Sequence, residues 1–464
     1  MEFEKAPDFN IYSAIMKVVD EYTGQNGNRQ PRYQFYPYPQ RLAVLSEMLR
    51  IHVLRERGDI KLYLKMQKEI FNLDPKQKRK SDINIFSIVS WLDSELDLIK
   101  QTTPEDNVLV ISALVFGQSY AEKMIKYTLP SMMAFENLPC LAVEKRVIFF
   151  IQADEEAKGV LEASDIVKAM KAIGILFDYV EVPKELTKLD TIITYWLLGA
   201  SATLGIAYAK SMNAAFHHSY PDIVYSNKFF SELLRLSKDH VAILGSGMRS
   251  DETILAPLLE QYTTSKHISI PSSDLLAHHM NSIHLCAWTM VVNNRPNYWL
   301  FPQYHIQIWE SENHVHFNSP HMMAHWLNNA VIKDLPQRYY QTLDSEMDFI
   351  CKGENYYVIQ GGDEVYQAEL SHPDRQEMID VYVDATGVAQ TMWACISHRD
   401  TVKFFFKEMK LKINRSIRPE PDNVIPVKQV DALQRMLYNT ILSHDKFANV
   451  NFSGPRTHKG YIFE

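Results

Sequence analysis

Asn107–Val115 reads NVLVISALV, with polar residues ahead of it and Gly117 just beyond. A short run of Val, Ile and Leu without alternation is the pattern of a strand covered on both faces. Lys145–Ile151, KRVIFFI, repeats the pattern and ends at Gln152-Ala153-Asp154. Between the two, the spacing predicts a helix over about Tyr120–Met133. Farther on it predicts a helix over Ser164–Ile175, a strand over Phe177–Val182 and a long helix over Thr191–Phe216. Short strands follow at Asp222–Tyr225 and Val241–Leu244. Strands alternating with helices imply an α/β core with a mostly parallel sheet, whose ligands sit at the carboxyl ends of the strands.

Upstream of Pro104 the texture is different. Ile11–Tyr22, Arg41–Glu56, Lys61–Phe71 and Ile83–Lys100 carry apolar residues at three- and four-residue spacing, the mark of amphipathic helices. Residues 1–103 therefore read as a helical accessory domain, a place for a protein partner or self-association. Residues 104–265 read as the α/β part and 266–400 as a less regular, His-rich part. Tyr356–Gln360 and Met378–Val383 have strand character and Val427–Ser443 helix character; 401–464 reads as a C-terminal helix and tail.

Composition narrows the function. The chain has 464 residues, 46% hydrophobic and 22% charged, which excludes a disordered or fibrous protein. Its net charge is −8 and no Lys/Arg block occurs, which argues against a nucleic-acid partner. The four cysteines form no C-x-x-C pair, which fits a reducing compartment, and MEFEKAPDFN lacks the pattern of a signal peptide. The expected location is cytoplasmic. Thr191–Ala209 is uncharged, but Thr, Ser, Gly and Tyr dilute it; it reads as a buried helix with small residues on its packing face rather than a membrane span.

Three constellations could carry chemistry. His240–Glu252, HVAILGSGMRSDE, is a strand running into Gly245-Ser246-Gly247, but Ser250 stands where a dinucleotide fingerprint needs its third Gly. Arg249 in this turn can offer paired donors to a phosphate. The second is the histidines, 17 in all. His314 and His316 would share a strand face, and His321 and His325 a helix face, so His316 and His321 are candidate metal or substrate contacts. The third is carboxylates at predicted strand ends: Asp154, Asp344 in TLDSEMD and Asp363 in QGGDE. Trp288, Tyr298, Trp299, Trp309 and Trp326 fall in the same region and suit a core or an aromatic ligand face. No P-loop and no G-x-S-x-G elbow is present.

Leu109–Phe230 resembles the nucleotide-sugar half of a glycosyltransferase with the GT-A fold. LVFGQSYAEKMIKYTLPSM, Leu114–Met132, looks like the opening strand, loop and helix, with Phe116 and Tyr120 at the turn. RVIFFIQADEE, Arg146–Glu156, is similar to the second strand, which ends in an acid that contacts the nucleoside; Asp154 takes that place. AAFHHSYPDIVYSNKFF, Ala214–Phe230, looks like the segment leading to the acidic pair that holds a divalent ion on the donor diphosphate. Here the sequence departs: it has no D-x-D triplet, and Ser226 and Asn227 stand where the acids belong, with Asp222 ahead of them. Tyr298–Asp363, continuing through Glu369-Leu370-Ser371, also resembles a little-characterised bacterial group of glycosyltransferase-like proteins.

The resemblance implies a GT-A-like mostly parallel sheet flanked by helices, an all-helical N-terminal domain and a mixed C-terminal region. It implies transfer of a sugar from a nucleotide sugar to an unknown acceptor, with 104–400 as the catalytic domain, its nucleotide half over 104–265 and its acceptor half over 266–400. Asp344 or Asp363 is the candidate base; Phe116, Tyr120, Asp154, Asp222, Ser226, Asn227 and Arg249 are the candidate nucleotide-sugar contacts. The missing triplet puts manganese or magnesium dependence in question, with Lys228 or Arg249 as an alternative source of positive charge. Two rivals stand beside this reading. One is a non-catalytic scaffold on a degenerate transferase fold, and the other is a metal-dependent hydrolase built on the histidines.

Overall fold

The computed structural model describes residues 43, 45–47, 49–56, 58–73, 79–99, 107–189, 191–245, 247–264, 266–284, 287, 307–311, 313–318, 323–340, 355–359, 365–373 and 409–418. The chain is an α/β protein built on a seven-stranded, mostly parallel sheet. The strands are β1 (Val108–Val115), β2 (Arg146–Ala153), β3 (Leu176–Glu181), β4 (Ala215–Ser219), β5 (Ile223–Tyr225), β6 (Ala242–Gly245), β7 (Met248–Asp251), β8 (Gln307–Ser311), β9 (His314–Asn318), β10 (Met323–Leu327), β11 (Tyr356–Val358), β12 (Gln367–Ser371) and β13 (Met409–Lys412). The main sheet runs β11-β6-β10-β4-β1-β2-β3. β10 is antiparallel to both of its neighbours, while the pairs β1/β2, β1/β4, β2/β3 and β6/β11 are parallel.

β1 is buried along its whole length because helices cover both faces of the sheet, which is why its sequence does not alternate. The chain steps outward through β1, β2 and β3, then returns so that β4 lies on the other side of β1. The carboxyl ends of β1 and β4 therefore flank a topological switch point, where open α/β sheets place their ligands.

The helices that position this edge are α1 (Lys80–Ile99), α2 (Gly117–Lys123), α3 (Glu155–Ala163), α4 (Thr191–Ser211), α5 (Glu252–Leu259) and α6 (Ser272–Asn281). α4 is the uncharged stretch, and it packs as a buried helix across β1. A Cβ on its Gly205 would stand 2.5 Å from Ser112 Oγ, so the helix approaches the strand only because this residue is small. Ser201 Oγ on the same helix donates to Gln152 Oε1 at 2.5 Å, satisfying a fully buried amide on β2. Among the described residues no helix is long and apolar enough to cross a membrane.

Between residues 43 and 99 the described residues in regular structure are helical. α1 lies against α4, and Trp91 Nε1 donates to Glu181 O at 3.1 Å, tying this helix to the end of β3. The expected helix over Ile11–Tyr22, the strand over Met378–Val383 and the helix over Val427–Ser443 lie outside the described residues.

Two local expectations are corrected. The helix expected to reach Phe216 stops at Ser211, and Ala215–Ser219 forms β4 next to the central strand. Asn213, at φ +52, makes the turn between them. His325 lies on β10, a strand, so it does not share a helix face with His321. Asp222–Tyr225 does yield a strand, β5, but in a second sheet of order β5-β12-β7. A third sheet, β13-β9-β8, is tied to the turn after β13 by Glu310, whose oxygens accept from Arg418 Nε at 2.7 Å and Arg415 Nη1 at 2.6 Å.

Candidate functional site

At the carboxyl ends of β1 and β2 the backbone is held by one carboxylate. Asp154 caps α3, its Oδ1 accepting from Ala157 N at 2.9 Å. The same carboxylate accepts from Gly117 N, at 3.2 and 3.1 Å for its two oxygens. Gly117 sits at φ +72, where a side chain is strained even though a Cβ there would touch nothing. Asp154 thus locks the turn that presents Phe116 and starts α2. Phe116 and Tyr120 are half-buried and pack on each other with ring centroids 5.8 Å apart. One turn on, Lys123 pairs with Glu252 at the start of α5, joining this rim to the segment after β7.

After β4 the chain turns through Tyr220, Pro221 and Asp222 into the second sheet. Pro221 O accepts from Thr128 Oγ1 at 2.8 Å, and Asp222 O accepts from Leu370 N at 2.7 Å. Asp222 is buried. Ser226 is fully buried: its N–H donates to Tyr366 O at 3.0 Å and its Oγ accepts from Tyr366 N at 3.1 Å. Asn227 N donates to Ile270 O at 2.8 Å, and its Oδ1 accepts from Ser269 Oγ at 3.1 Å. Ser226 and Asn227 therefore act as struts between β5, the start of β12 and the segment before α6.

The second sheet faces the carboxyl edge of the first. Tyr225 Oη lies 2.8 Å from Ser219 Oγ at the end of β4, and Gln367, opposite Tyr225 in the β5–β12 ladder, reaches Met323 at the start of β10. Side chains two residues on share this face. There Ile223, Glu369 and Arg249 form one row across β5, β12 and β7. Arg249 Nε lies 2.9 Å from Glu369 Oε1, and Ser371 Oγ donates to the same oxygen at 3.1 Å. Tyr225 and Gln367 are buried, whereas the Arg249 and Glu369 side chains are 18% and 25% exposed. The face therefore closes at one end and opens to solvent at the polar end.

Behind the opening is a sealed hydrogen-bond chain. His217 Nδ1 meets His325 O at 2.6 Å, its Nε2 meets Tyr225 Oη at 3.0 Å, and that hydroxyl continues to Ser219. Phe229 and Phe230 pack edge-on around His217. Burial pushes the His217 pKa down to about 4 and that of His325 to about 3, so both rings are neutral. These histidines serve the core rather than a ligand.

The remaining predicted residues fall elsewhere. His316 lies on β9, buried, with Nε2 2.8 Å from Ser311 Oγ. His321, Asp344 and Asp363 lie outside the described residues. Among the described residues no group of three His, Cys, Asp or Glu side chains is placed to hold a metal. The structure thus brings together Phe116, Tyr120 and Asp154 at one rim, sets Asp222 and Arg249 on the second sheet and leaves His316 on the third.

Glu369 and Ser371, which the sequence reading placed only within a resemblance and gave no role, stand beside Arg249 here. The signal was present: in Gln367-Ala368-Glu369-Leu370-Ser371 polar and apolar residues alternate, the period of a strand with one polar face.

No protein-family model matches this chain, and no curated protein sequence matches it. Among solved structures it is similar to the crystal structure of S. aureus TarS 1–349 in complex with UDP-GlcNAc, at 9% identity and a TM-score of 0.28, over 74% of this chain and 76% of that one.

Proposed function

We propose that the protein is a glycosyltransferase-like enzyme that takes a sugar from a nucleotide sugar. The observation that carries this reading is the Arg249–Glu369–Ser371 row on the second sheet, on the face whose Tyr225 and Gln367 touch the end of β4 and the start of β10. The GT-A resemblance of Leu114–Met132 and Arg146–Glu156 supports it, since the first runs from the end of β1 through α2, the second forms β2, and the two meet at one rim through Gly117 and Asp154.

In the transfer, the acceptor oxygen forms a bond to the sugar carbon as that carbon's bond to the diphosphate oxygen breaks. The electron pair leaves with the diphosphate, and the acceptor proton passes to a carboxylate. Arg249 is assigned to the negative charge on the leaving group, because a planar guanidinium offers paired donors that match a phosphate. Phe116 and Tyr120 offer an aromatic wall for the nucleoside. Asp154 holds the turn that carries them and Asp222 lies near the diphosphate, with Ser226 and Asn227 fixing the strand behind it. Asp344 or Asp363 is the assigned base.

Among the described residues the donor set does not fit a divalent ion: Asp222 supplies one carboxylate, and Ser226 and Asn227 are committed to the backbone and to Ser269. Uptake of the acceptor proton by a carboxylate makes turnover fall as that group is protonated at low pH.

The test is thermal shift of the full chain against nucleotides and nucleotide sugars, with and without manganese. A ligand at 100 times its dissociation constant adds about 2.7 kcal/mol of stability. A shift selective for one nucleotide sugar, without need of manganese and lost in Arg249→Ala, is the expected result. A folded protein that responds to no nucleotide overturns the reading and leaves the scaffold alternative.

A further inference from the structure

The rear face of the second sheet, away from Arg249 and Glu369, carries a different set of polar groups. Ser250 follows Arg249 on β7, so its side chain takes the opposite face, and there its Oγ lies 2.6 Å from His279 Nδ1 of α6. The ring of Tyr366, just before β12, meets the His279 ring edge-on with centroids 5.9 Å apart. Ser250 and His279 are both fully buried.

Two atoms of this cluster have no hydrogen-bond partner among the described residues: His279 Nε2 and Tyr366 Oη. Burial pushes the His279 pKa down to about 3, so the imidazole is neutral, with one N–H and one lone pair. If Ser250 donates to Nδ1, Nε2 carries the proton and needs an acceptor. If Nδ1 donates to Ser250, Nε2 needs a donor. Either tautomer leaves Nε2 unsatisfied, and the phenol oxygen is in the same position. Buried polar atoms are almost always bonded to protein or to ordered water, and water meets either requirement because it both donates and accepts.

We propose that His279 Nε2 and Tyr366 Oη share one buried water molecule, which completes a Ser250–His279–water–Tyr366 chain behind the strand that carries Arg249. The chain ties α6 to both β7 and the start of β12. It does not depend on the nucleotide-sugar reading.

The experiment is a crystal structure of the full chain at a resolution that shows ordered water, together with the melting temperature of Tyr366→Phe. The expected map holds one water within hydrogen-bond distance of both atoms. The expected variant melts about 1–3 °C lower, because it keeps the ring and removes a hydroxyl that is bonded. A map with no water touching both atoms overturns the proposal. A Tyr366→Phe melting temperature unchanged or raised does so too, since deleting an idle buried hydroxyl costs nothing. If Tyr366→Phe does not fold, the wild-type map decides alone.

Discussion

Arg249 and Glu369 stand directly opposite each other in the parallel β7–β12 ladder, and their side chains meet at 2.9 Å on the face turned toward the main sheet. Neither is placed by its neighbours in sequence. The pairing of two strands puts a cation and an anion side by side, with Ser371 supplying a second bond to the same carboxylate oxygen. The pair is partly shielded from solvent, so each member depends on the other more than in an exposed ion pair.

Removing either partner has a predictable asymmetry. Glu369→Ala leaves the half-buried Arg249 guanidinium without its carboxylate and is expected to cost about 1–2 kcal/mol of stability. Glu369→Gln keeps an acceptor and costs less. Urea unfolding of the two variants checks this; equal stability of wild type and Glu369→Ala would remove the pair from the framework.

Asp154 caps one helix and clamps the turn at Gly117. Asp154→Ala loses the bonds to both Ala157 N and Gly117 N and is expected to destabilise the chain by about 2 kcal/mol. Asp154→Asn keeps one acceptor oxygen and loses roughly half of that. Hydrogen exchange at Gly117 and Ala157 should speed up in Asp154→Ala first, before the core opens.

Low pH should weaken the fold through three histidines. His217 has its pKa pushed down to about 4, and His279 and His325 to about 3, in each case by burial. Unfolded, each returns to about 6.5. Below 6.5 the unfolded chain binds protons that the folded chain refuses, so stability is fully present above that pH and falls as pH drops toward the folded values. Each histidine contributes about 1.4 kcal/mol per pH unit in this window, so the loss from pH 7.5 to 5.5 is roughly 3–4 kcal/mol. Urea midpoints at the two pH values measure it, and no change between them would show that these rings are not sealed from water.

Two glycines make opposite predictions. Gly205→Ala drives a Cβ to 2.5 Å from Ser112 Oγ across the α4–β1 contact and is expected to cost about 1–3 kcal/mol. Gly159→Ala, on the exposed face of α3 with nothing within 4 Å, is expected to stabilise by about 0.5–1 kcal/mol. Thermal melts of the two variants test both signs in one experiment.

β1, β2 and α4 were legible in the sequence because burial on all sides leaves a local mark: an apolar run whose length separates strand from helix. β4 was not. Ala215–Ser219 follows the helix after only the short polar break Lys210-Ser211-Met212-Asn213 and holds two histidines, and only its place beside β1 makes it a buried strand. His217 is tolerated there because His325 O and Tyr225 Oη satisfy its ring, partners that no local window contains.

The candidate site divides in the same way. Asp154 follows from a strand end that the periodicity locates, and Phe116 and Tyr120 were named on the GT-A resemblance of Leu114–Met132. Arg249 was visible as a cation in a turn, but its assignment to a strand opposite Glu369 was not, and Ser226 and Asn227 became struts only once Tyr366, Ile270 and Ser269 closed around them. Backbone geometry sets the period of a helix or strand, so the sequence alone determined which segments are buried and in what form. Strand pairing joins residues far apart along the chain through backbone groups that every residue shares, so only the tertiary structure decided which side chains meet.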